Sequence, residues 1–158
     1  MMIDIFTSFG TEIVFFHIIS AVIWVGGMIA VRFAVHPAMQ MIATPAVRMS
    51  RSINITKNLF NIVIPMIVIL VATGVVMIYG FGHKGDVLIH TKEGIWSVML
   101  INFIAMYLRV NKADKLMRDK DDKLAEAKKQ IDIVSKYMLP INIVLGIVAI
   151  YLGASLHI

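Results

Sequence analysis

An all-α membrane protein is the fold class this sequence predicts: a four-transmembrane-helix bundle with a helical cytoplasmic extension between helices 3 and 4. Three observations carry it. Four apolar stretches of roughly 20 residues each take up about half the chain, and that length spans the roughly 30 Å of hydrocarbon in a bilayer. The composition, 59% hydrophobic and 16% charged with a mean hydropathy of +0.83, lies well to the apolar side of a soluble domain. The basic residues are placed unevenly, with nine of the 15 Lys and Arg falling between Arg109 and Lys136. That placement suits a juxtamembrane loop better than a nucleic-acid surface, so the net charge of +5 implies no nucleic acid. Residues 1–158 are read as one transmembrane domain, because the spans leave no room for a separate soluble domain.

The first span is expected over about 13–35, an apolar run interrupted only by His17 and Arg32 and ending at His36-Pro37. The opening MMIDIFTSFGT contains Asp4 and no Lys or Arg, unlike the positive start of a signal peptide, so this helix is expected to stay in the mature protein. The second span, about 59–81, has no charged residue, and Pro65 and Gly74 are breakers that membrane helices tolerate. It stops in the turn-rich Gly80-Phe81-Gly82-His83-Lys84-Gly85. The third has an uncharged stretch of only 15 residues, Gly94 to Leu108, too short to cross. It must therefore reach back to Val87, giving 87–108 and drawing His90, Lys92 and Glu93 into the bilayer edge. The fourth, about 137–156, carries Pro140 and Asn142 in its first turn. Between the third and fourth, residues 109–136 lack Gly and Pro and pair charges at helical spacing, as in Asp114 with Arg118 and Asp119 with Lys123. A solvated helix is the expectation there.

Orientation follows from charge. The first loop holds Arg48, Arg51 and Lys57 and the third holds nine basic residues, against Lys84 and Lys92 in the second loop and none in the tails. The positive-inside rule puts the odd loops in the cytoplasm and both termini outside.

Zero cysteines exclude disulfides, thiolate metal ligands and a cysteine nucleophile, so redox chemistry would need a bound cofactor. An ionisable side chain inside a span costs several kcal/mol, about 2.5–3.5 on insertion scales, and marks a functional position by default. His17 is the foremost such residue. It shares a helical face with Trp24 and Met28, a surface suited to a flat cofactor, while Gly26 and Gly27 allow another helix to come close. A histidine bonded to a neighbouring helix is the equal alternative. His90 enters from the outer side at a depth similar to His17, and two such histidines are able to ligate a haem iron from opposite faces. His83 and His157 read as surface histidines, and His36 lies at the cytoplasmic end of the first helix. Lys92 suits a propionate, and Arg32 suits snorkelling to headgroups. Twelve methionines raise the question of Cu(I), but they are scattered through all spans and read as core filler.

These residues resemble a known superfamily. The run His17-Ile-Ile-Ser-Ala-Val-Ile-Trp24-Val-Gly-Gly27 resembles the first-helix signature of HemJ-type protoporphyrinogen oxidases and of CopD-type copper resistance membrane domains. Ile64-Pro65-Met66 with Ala72-Thr73-Gly74 resembles the HemJ second helix, and Leu88-Ile89-His90-Thr91-Lys92 resembles its entry to the third. Val35-His36-Pro37 and Tyr107-Leu-Arg-Val-Asn111 are closer to CopD domains. The resemblance implies a bacterial inner-membrane protein with haem b held through His17, and Lys92 and Arg51 as further functional positions. Its HemJ branch implies oxidation of protoporphyrinogen IX with electrons passed to quinone or the respiratory chain. Its CopD branch implies copper bound through His17 and outer histidines. A non-catalytic accessory subunit, docking a partner through its charged helix, is the third reading, and a homo-oligomer is compatible with each.

Overall fold

The computed structural model describes residues 2–80, 87–119 and 123–155, and among these there is no strand. The turn after Gly80, His83 and His157 lie outside the described residues, as does the side chain of Asp119 in the expected pair with Lys123. Helix α1 (Met2–Ala30) runs through a π turn (Val31–Val35) into α2 (His36–Gln40). Then come α3 (Pro45–Gly80) and α4 (Val87–Asp119); α5 (Leu124–Ile133) runs through a second π turn (Val134–Met138) into α6 (Leu139–Ser155). These make four rods, each long and apolar enough to cross a membrane.

The rods outrun the apolar stretches that predict them. α1 begins at Met2 rather than near Ile13, with a kink at Phe9 (φ −131°, ψ 27°) just before Gly10. α3 has 36 residues, about 54 Å at 1.5 Å per residue, so it projects well beyond a 30 Å hydrocarbon layer. Pro45 starts it, since a missing N–H costs nothing in a first turn, and the Arg48 N–H bonds the Thr44 carbonyl at 3.0 Å. α4 begins at Val87, where the third span was expected to start.

The rods form a ring in chain order. α1 packs against α3, α3 against α4, α4 against α6, and α6 against α1. α1 and α4 therefore stand diagonally across the bundle and meet through long side chains. Trp24 of α1 reaches Phe103 of α4 edge-on, with centroids 5.9 Å apart at 81°, and Phe103 meets Phe60 of α3 at 5.0 Å and 72°. Gly146 lets α6 approach both neighbours: a Cβ there would lie 2.6 Å from Val25 Cγ2 and 3.3 Å from Met99 Cε. Of the expected pair Gly26 and Gly27, only Gly27 meets another helix, against Leu59; Gly26 has nothing within 4 Å. Consecutive helical residues point about 100° apart, so one of two adjacent glycines must face away.

Outside, the bundle is oily. Only 17–22% of the most apolar window of each rod is buried within the protein, and Phe33, Val68, Ile101 and Tyr151 face outward. Water would penalise such a surface and lipid does not.

Beyond its apolar part, α4 keeps its helix to Asp119, and α5 folds back against it. Ala113 and Ala127 are fully buried there, and Arg109 donates to Gln130 Oε1 at 2.9 Å. The expected pair of Asp114 with Arg118 forms at 3.0 Å, and Lys57 of α3 reaches the same carboxylate at 2.6 Å.

Candidate functional site

His17 lies midway along α1 and Thr73 in the last quarter of α3, and antiparallel packing of the two helices brings the side chains together. The His17 imidazole Nδ1 is 2.9 Å from Thr73 Oγ1. That hydroxyl already donates to the Ile69 carbonyl at 2.6 Å, with the Leu70 carbonyl 3.2 Å away. With its single proton committed, the hydroxyl accepts from Nδ1–H. Nε2 is left with its lone pair free, the arrangement a ring needs to bind a metal or take a proton. Gly74 sits beside the ring, where a Cβ would come within 3.4 Å of His17 Cε1.

Lys92, near the start of α4, completes the group from the third rod. Its Nζ lies against Gly153 of α6, 2.9 Å from where a Cβ would stand, so the glycine makes room for the ammonium. Among the described residues Lys92 has neither a hydrogen bond nor an ion pair. All four rods thus contribute to one end of the bundle: an oriented imidazole, a hydroxyl, an unpaired ammonium and two glycines.

His90 is elsewhere. Its Nδ1 is 3.1 Å from Glu93 Oε2, one turn along α4, and its side chain is 64% exposed. The His90 ring turns out of the bundle to Glu93, so matching depth does not bring the two histidines face to face. Trp24 is also differently placed from the expectation of an open cofactor face. It is 1% exposed and edge-on to Phe103, because the face it shares with His17 and Met28 turns into the packed core. Arg51 is exposed on α3, 22 positions before Thr73, or about 33 Å along the helix. The structure therefore does not bring it together with Thr73 and Lys92.

Some polar residues were assigned no role from the sequence. Asn142 of α6 is fully buried; Asn102 Nδ2 donates to its Oδ1 at 2.7 Å and to the Met138 carbonyl at 2.8 Å, while Asn142 Nδ2 donates to the Met99 carbonyl at 3.2 Å. An amide inside an apolar span was the available signal. Among the described residues Ser20 Oγ and Trp24 Nε1, one turn apart, are buried without a hydrogen-bond partner.

Among the described residues no group of three or more His, Cys, Asp or Glu is arranged to hold a metal ion. His17 with its free Nε2 is a donor set of one. That fits a macrocycle-bound iron, whose other in-plane ligands come with the cofactor, better than a bare ion that needs several protein donors. No protein-family model, curated protein or solved structure matches this chain.

Proposed function

We propose that the protein is a haem b-binding membrane oxidoreductase with His17 as the axial ligand. The observation that supports this best is the 2.9 Å link from His17 Nδ1 to Thr73, which leaves Nε2 free within an apolar span beside the unpaired Lys92. In this reading Thr73 holds the ring's tautomer and rotation, as outer hydrogen bonds do for ligating histidines generally. Gly74 keeps space beside the ring, and Lys92 receives an anionic carboxylate such as a propionate. The bound haem would supply one-electron redox chemistry at a potential tuned by its axial ligand.

The resemblance to HemJ-type enzymes supplies the reaction: oxidation of protoporphyrinogen IX, with electrons leaving to quinone or the respiratory chain. Charge placement supplies the setting. The hairpin of α4 and α5 lies in the cytoplasm and the His17 end faces outward; the resemblance supplies the bacterial inner membrane.

A pyridine haemochrome spectrum of detergent-purified protein from haem-replete cells tests the cofactor. A b-type spectrum at near-stoichiometric occupancy is expected. Absence of a Soret band together with tight copper binding would transfer the chain to the copper reading, and absence of both would leave the accessory-subunit reading. Growth of a bacterium lacking its own protoporphyrinogen oxidase, restored by the wild-type chain, is the expected result for the activity.

A further inference from the structure

The opposite end of the bundle holds a second feature, independent of His17. The two π turns, Val31–Val35 and Val134–Met138, belong to rods that are neighbours in the ring, and both open onto one groove. In each, a backbone N–H reaches back five residues, from His36 to the Val31 carbonyl and from Leu139 to the Val134 carbonyl. Such turns put an extra residue into the helix and recur at functional sites.

The groove is lined mainly by apolar side chains, among them Val31, Val35, Val134 and Leu139. Its polar lining is all of one kind. Arg32 and His36 offer N–H donors, Ser52 and Ser135 offer hydroxyls, and no Asp or Glu lines it. Arg32 is half-buried, and among the described residues it makes neither a hydrogen bond nor an ion pair. The Ser52 and Ser135 hydroxyls are likewise without a described partner, whereas Thr56 donates to the Ser52 carbonyl at 2.8 Å. A guanidinium with free hydroxyls beside it suits a phosphate, and an apolar floor suits an acyl chain. Inorganic phosphate would use only the first of these and leave the floor unfilled.

We propose that this groove binds an anionic phospholipid, its phosphate on Arg32 with Ser52 and Ser135 and its acyl chain along the two π turns.

Native mass spectrometry of the full-length protein, titrated with phosphatidylglycerol or phosphatidylcholine of matched chains, tests it. Wild-type protein is expected to retain phosphatidylglycerol at about tenfold lower lipid concentration, because both lipids carry the phosphate but phosphatidylcholine brings its own cation beside Arg32. Arg32→Gln should bring the two lipids level, while Lys128→Gln, exposed on α5, should keep the preference. Ser135→Leu fills the groove with every charge intact and should also abolish the preference, so the test stands even where Arg32→Gln fails to insert. Equal binding of both lipids by wild type, or an unchanged preference in Ser135→Leu, would overturn the proposal. Displacement of phosphatidylglycerol by millimolar inorganic phosphate would overturn it in favour of a free-anion site.

Discussion

His17 and Thr73 are 56 positions apart in sequence, yet the imidazole Nδ1 and the hydroxyl oxygen stand 2.9 Å apart between two apolar helices. Thr73→Val keeps the side-chain volume but removes the acceptor. Haem occupancy should fall by about tenfold or more, the scale on which outer hydrogen bonds support metal ligands. Thr73→Ser, which restores the acceptor, should retain it. Absorbance at the Soret band against protein concentration gives the answer, and equal occupancy in Thr73→Val would remove the orienting role.

The histidines should separate cleanly. His17→Ala is expected to lose the cofactor while remaining inserted, because taking an imidazole from an apolar helix removes no backbone bond. His90→Ala should keep the wild-type spectrum, since that ring turns to Glu93 at the exposed surface. His36→Ala, at the start of α2, should keep it too. A six-coordinate spectrum that becomes five-coordinate in His90→Ala would instead bring His90 to the iron, and a wild-type spectrum in His17→Ala would discard His17.

Gly146 tests the packing of α6. In Gly146→Ala the new methyl meets Val25 and Met99, and overpacking of this kind costs about 1–3 kcal/mol. Adding Val25→Ala should recover most of that loss. Gly26→Ala, with nothing within 4 Å, should be neutral or slightly stabilising. Unfolding in mixed micelles measures all three, and a neutral Gly146→Ala would show that the contact relaxes freely.

Asn142→Leu breaks the amide link between α4 and α6. Asn102 keeps the Met138 carbonyl but loses Asn142 Oδ1, so a cost of about 1–2 kcal/mol is expected in the same unfolding experiment. A larger cost than Gly146→Ala would make the amide pair the principal tie between these rods.

Topology is open to labelling. Cysteine at Val87, an exposed residue at the start of α4, should react with an impermeant maleimide on intact cells. Cysteine at Ala125, exposed on α5, should be protected until the membrane is opened. The reverse pattern would invert the orientation.

The four helices long and apolar enough to cross a membrane were legible in the sequence because the cost of burying polar groups in lipid writes each as a local run rich in apolar residues. The extended helix after Leu108 was legible for a similar reason, since helix formers and charges at helical spacing are near-neighbour signals. His17 stood out because one ionisable side chain among isoleucines and valines is conspicuous without any knowledge of packing. What that histidine meets was decided only by the tertiary structure. Its partner Thr73 depends on how α1 and α3 are rotated and shifted against each other, which no local pattern records. The rotation of α4 turned His90 outward to Glu93 and so parted it from His17 although their depths in sequence agree. Helix rotation likewise sent Trp24 into the aromatic core and left Lys92 beside Gly153, because a residue's face on a helix is set by the neighbours that pack there.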